Sequence, residues 1–133
     1  MTGQDKSQLS AMSVAQVMTE QDWHTLEECL NKTNESLTEG EPERTMGRIM
    51  ALLAHFFITP LPEKLHSAVF SDWLSVLAPY PNWAIERACE NWLMHQNKKP
   101  FPRDILSRVK EEILPYTRLR DALSLINQHQ SNI

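Results

Sequence analysis

The stretch YPNWAIERACENWLMHQNKKPFPRDILSRV, residues 80–109, decides how this chain folds. Pro79 and Pro81 lack the amide hydrogen a helix needs and stop the segment before them. Tyr80 offers a large ring to plug the turn, and Asn82 is placed to cap a new helix running back. Ile85, Ala88, Cys89, Trp92 and Leu93 recur at helical spacing and predict its buried side. QNKKPFP, residues 96–102, is a connector, and Pro100 and Pro102 repeat the proline device at the far end. The next helix starts near Pro102 and shows Ile105, Leu106, Val109 and Ile113. Phe101 is expected to drop into the base of the helical pair. The bracketing prolines thus predict a packing corner at each end of one helix, not a reactive site.

Upstream, Pro42 suits the first turn of a helix with Met46, Ile49, Met50, Leu53, Phe56 and Phe57 on its stripe, widened by Leu52 and Ala54. TPLP, residues 59–62, is expected to end it. A further helix from about Glu63 presents Leu65, Val69, Trp73, Val76 and Leu77, with Phe70 and Leu74 widening that face. Earlier still, Thr19 with Asp22 three residues on reads as a near capping box, before a helix with Trp23, Leu26, Leu30 and Leu37 and a stop at Gly40. Residues 1–18 read as a mobile tail or a weak helix. Downstream, Pro115 breaks or kinks the pattern, and a last helix carries Leu119, Ala122, Leu123 and Ile126. No alternating strand or hairpin dipeptide interrupts this, and the chain has 3 glycines. An all-α fold follows: a single small bundle of five to six helices, with a tail over 1–18, a helical domain over 19–128 and a frayed end over 129–133.

At 133 residues the length matches one domain, large enough to bury about two-thirds of its unfolded surface. The net charge of -4 argues against a dedicated nucleic-acid binder. The charge is uneven: residues 1–45 carry nine acidic and three basic side chains, residues 95–133 four and seven. Such an asymmetry is able to steer a partner. The 2 cysteines, Cys29 and Cys89, are too few for a disulfide framework and are expected to be small buried thiols. No basic front followed by an apolar run marks a leader, and no apolar stretch approaches the ~18 residues of a membrane span. The expected compartment is the cytosol.

The usual chemistries find little support. No histidine pair stands at i, i+3 or i+4 and no CxxC occurs, so no metal site is expected; His55 and His66 flank a proline turn but lack that tight spacing. No GxSxG and no glycine-rich phosphate loop is present. Glu86 and Glu90 stand one turn apart, yet they flank Arg87 on what reads as a wet face, where acid–base work has no burial to drive it. No catalytic residue and no cofactor are expected. Lys98, Lys99, Arg103, Arg108 and Lys110 cluster beside Phe101. They read as a solvated charged face or as the contact with an acidic protein surface or nucleic acid. Trp73 and Trp92 belong to apolar stripes. Trp23 and Trp83, near helix starts, are candidate interface anchors or end packing.

These elements resemble a known group. The apolar helix around Leu53–Phe57, then Trp73 and Leu77, Tyr80-Pro81, Ile85, Ala88 and Trp92, and finally Phe101-Pro102 and Ile105 resemble the small phage-encoded loader and inhibitor proteins of the replicative helicase. The resemblance spans roughly residues 46–113, and only the order of Tyr-Pro and Phe-Pro about one amphipathic helix gives it weight. Residues 1–42 have no counterpart, and Arg103-Asp104 enters the following helix more directly than in many members. The family's flexible C-terminal extension, associated with helicase contact, would map onto 115–133, which here has a helical pattern. The resemblance implies a non-enzymatic adaptor that binds a hexameric replicative helicase and loads or inhibits it. Lys98, Lys99, Arg103, Arg108, Lys110, Trp23 and Trp83 are then the expected contact residues. Two rivals remain: a small DNA-binding regulator, and a phage inhibitor of a host enzyme such as a defence nuclease. No membrane partner is expected.

Overall fold

Capping and proline chemistry set most of the helix boundaries. The computed structural model describes residues 3–56 and 62–130, with side chains from Ser7 onward. Through them run α1 (Gly3–Val17), α2 (Glu20–Ser36), α3 (Pro42–Ala54), α4 (Glu63–Leu77), α5 (Asn82–His95) and α6 (Pro102–Gln128). The protein is all-α, and among the described residues there is no strand. Thr19 caps α2 through a full capping box: its Oγ1 accepts from the Asp22 amide at 3.2 Å, and its own amide donates to Asp22 Oδ2 at 2.9 Å. Pro42 takes the first turn of α3. Residues 1–18, read as tail or weak helix, are helical over Gly3–Val17. Phe57, residues 59–61 of the TPLP segment, Met1, Thr2 and residues 131–133 lie outside the described residues.

The chain divides into two compact units, Thr38–Leu114 and Met1–Leu37 with Pro115–Ile133. The first unit contains the main core. α3 packs against both α4 and α5. It contributes Ile49, Leu52 and Leu53; α4 contributes Trp73 and Leu77; α5 contributes Ala84, Ile85, Ala88, Cys89 and Trp92; α6 contributes Ile105 and Val109. Each large apolar side chain here stabilises the fold by about 1.5–3 kcal/mol through area removed from water. On α3 the buried arc is narrower than the apolar stripe: Met50 is exposed while Thr45 is buried. Leu65 and Leu119, also expected on buried faces, are exposed, Leu65 in the first turn of α4.

Among the described residues of the second unit few are buried: Ala11 and Ala15 of α1, and Leu26 and Thr33 of α2. The Gln8 side chain and the His129 ring meet at 3.2 Å.

Four further expectations are corrected. Gly40 does not end α2 by a left-handed turn, since no described glycine has positive φ; α2 has already ended at Leu37. Gly40 instead allows a close approach, because a Cβ there would fall inside the Asn82 amide. Asn82 does not cap its own helix. It is the first residue of α5, and its Oδ1 accepts from the Glu41 amide at the start of α3 (2.8 Å) while its Nδ2 donates to Thr45 Oγ1 (2.8 Å). Pro115 does not separate two helices but sits inside the continuous α6. Its exposed position leaves the carbonyls it disrupts open to water. Cys29 is exposed, and only Cys89 is buried.

Candidate interaction surface

The basic cluster is built on a corner whose backbone is pinned from beneath. α5 ends at His95, and Gln96 is extended. Six residues on, α6 begins. Trp92, buried to 2% exposure, donates its indole N–H to the Lys98 carbonyl at 2.8 Å. Pro100 is fully buried beside it in sequence. One indole and one proline thereby hold the connector down, and the Lys98 and Lys99 side chains are left exposed.

Phe101 departs from expectation. Its ring is 62% exposed rather than core. The cause is local. Asp104, the third residue of α6, accepts a hydrogen bond from the Phe101 amide at 2.8 Å, and the Phe101 carbonyl accepts from the Asp104 amide at 3.0 Å. Phe101 is therefore held as the helix cap, and Pro100 occupies the interior in its place. The Arg103 guanidinium lies over the Phe101 ring, 5.9 Å from its centroid. The Asp104 signal was present in the sequence and identifies Phe101 as a cap. Met94, 80% exposed in the last turn of α5, also lies off the apolar stripe and was not singled out by periodicity.

The five predicted cations do not share one environment. Arg103 and Lys110, seven residues apart, fall on the same face of α6 and are both exposed. Arg108 is rotated away and half-buried. Its Nε donates to Asn91 Oδ1 at 2.8 Å, and its guanidinium lies 4.5 Å from the Trp92 ring centroid. That geometry makes Arg108 a strap between α6 and α5. Trp83 is half-buried against the core with Arg87 over its ring at 5.4 Å. Trp23 is half-buried and belongs to the other compact unit. The structure thus leaves Lys98, Lys99, Arg103 and Lys110 exposed, sets Arg103 against Phe101, and gives Arg108 a packing role.

The carboxylates have ordinary partners. Arg44 directs both Nε and Nη2 to Glu86 Oε1 at 2.9 Å, and Arg87 reaches Glu112 at 3.8 Å. Among the described residues no group of three or more histidines, cysteines and acids is placed to hold a metal ion. Cys89 has its thiol pushed up to about 11 by burial, against the opposing pull of the Arg48 guanidinium, with Glu86 and Glu90 adding to the rise. Such a thiol stays protonated and is a poor nucleophile. Among the described residues no helix is long and apolar enough to cross a membrane. The chain matches no protein-family model, no curated protein and no solved structure.

Proposed function

We propose that the chain is a non-enzymatic phage or prophage adaptor that binds a hexameric replicative DNA helicase and loads or inhibits it. The observation that carries the reading is the corner itself: an exposed phenylalanine under the Arg103 guanidinium, two and three residues from the exposed Lys99 and Lys98, on a backbone pinned by Trp92 and Pro100. An apolar anchor beside cations on a pinned backbone suits a protein contact, because the anchor supplies burial and the charges supply steering. The resemblance gives the partner its identity. Support for it comes from Leu53, Trp73, Leu77, Ile85, Ala88, Trp92 and Ile105, which fall in one core with Tyr80 packed against it. Those positions transmit a fold more directly than an activity, so the partner needs its own test.

The test is capture of partners from a bacterial lysate on the immobilised chain, with identification of what is retained. Retention of the replicative helicase supports the reading; retention of a nuclease or a polymerase in its place rejects it. Replacing Lys98, Lys99, Arg103 and Lys110 together by serine is expected to weaken capture and flatten its salt dependence. Arg108 stays in that variant, because its loss would loosen α6 from α5.

A further inference from the structure

The solvent side of α6 carries more than charge. Arg103, Ser107, Lys110 and Leu114 follow one another at four, three and four residues, and all four are exposed. They form a straight stripe opposite the buried Ile105 and Val109. Phe101 stands at its head and Leu114, 42% exposed, at its foot. Arg103 and Lys110 are about 10 Å apart along the axis at 1.5 Å per residue. The acids of this segment lie off the stripe: Asp104 turns to the Phe101 amide, Glu112 faces Arg87, and Glu111 stands at the edge.

We propose that this stripe docks an acidic amphipathic helix of a partner protein, with two carboxylates seven residues apart facing Arg103 and Lys110 and apolar side chains covering Phe101 and Leu114. The proposal rests on the adaptor reading for its biological setting but not for its chemistry. Charge selects the occupant. Two spaced cations between two apolar ends match a helix with the same period and the opposite sign. Nucleic acid fits less well. The stripe offers one aromatic platform, and the Asp104 carboxylate already occupies the start of α6, where a phosphate would otherwise gain from the helix dipole.

The probe is a dye-labelled synthetic helical peptide carrying two glutamates seven residues apart between two leucines, titrated with the full chain. It should bind, and binding should weaken as salt rises. The double variant Arg103→Glu, Lys110→Glu should lose about tenfold in affinity, the sum of two exposed ion pairs. A peptide with lysines in place of the glutamates should bind that variant better than it binds the original chain. Phe101→Ala should lower affinity with the salt slope unchanged. All of these positions are exposed, and circular dichroism checks that each variant stays helical. Charge-blind peptide binding, absence of binding, or preferential binding of oligothymidine through the same two cations would overturn the proposal. The lysate experiment separates the two readings. Helicase retained equally by the charge-reversed variant sinks the docking stripe alone. Peptide binding that follows charge, with no helicase retained, sinks the helicase reading alone.

Discussion

Gly40 and Asn82 show how one residue's tolerance depends on another's shape. The Gly40 amide donates to the Tyr80 carbonyl at 3.0 Å, which brings its α-carbon against the Asn82 amide. Asn82→Ala strips the Glu41 amide and the buried Thr45 hydroxyl of their partner and is expected to cost about 1–3 kcal/mol. Gly40→Ala forces that side chain aside and is expected to cost about as much. The double variant should fall well short of the sum, since without the amide the new methyl has room. A urea-denaturation double-mutant cycle checks this, and additive costs would disprove the close approach. Cys89 carries a second residue-scale expectation. Burial raises its folded pKa to about 11, from an ordinary thiol value of 9.0. Its contribution to stability is therefore intact below pH 9 and is lost as pH rises through 11, by roughly 2–3 kcal/mol. Cys89→Ala should remove that part of the alkaline slope. In the native protein near neutral pH a thiol reagent should label the exposed Cys29 and leave Cys89 unmodified until unfolding.

Among the elements, the α5–α6 corner and the middle of α6 behave differently. The corner is pinned by a directed bond from Trp92 to the Lys98 carbonyl, beside an Arg108 guanidinium that also reaches Asn91. Trp92→Phe keeps most of the apolar volume but leaves that carbonyl without its donor. It should cost about 1–3 kcal/mol in urea unfolding and speed amide exchange over residues 97–101. Pro115 disrupts its own helix, because it has no amide to give the Glu111 carbonyl and its ring crowds that oxygen. Pro115→Ala is expected to stabilise α6 by about 1–3 kcal/mol and to slow amide exchange over 112–119. Unchanged exchange there would show that the helix already tolerates the ring.

At the scale of the whole molecule, stability is concentrated in one of the two units. The core of Ile49, Leu77, Ile85, Trp92, Ile105 and Val109 belongs entirely to Thr38–Leu114, whereas among the described side chains of α1 only Ala11 and Ala15 are buried. Native-state hydrogen exchange should find the slowest amides in α3, α5 and the first half of α6, and much faster ones in α1. Equal protection throughout would contradict this distribution of buried area. Local patterning made α2 to α5 legible, with the α5 stripe, the Thr19 capping box and the burial of Trp73, Leu77 and Trp92, but not the continuity of α6 or the exposure of Leu65. These depend on i to i+3 and i+4 neighbours and on proline's missing amide, which are local properties of the chain. The candidate surface was only partly legible. Its cations were visible as a cluster, but their sorting into exposed Lys98, Lys99, Arg103 and Lys110 and strapped Arg108 was not. The Asp104 signal marks Phe101 as a cap, but the burial of Pro100 in its place was not legible, nor was the use of Asn82 to serve α3 rather than α5. The sequence by itself determined an all-α protein with its corners at paired prolines. Only the tertiary structure decided which corner residues face solvent, because that depends on hydrogen bonds such as Trp92 to Lys98 and on contacts across helices that no local spacing encodes.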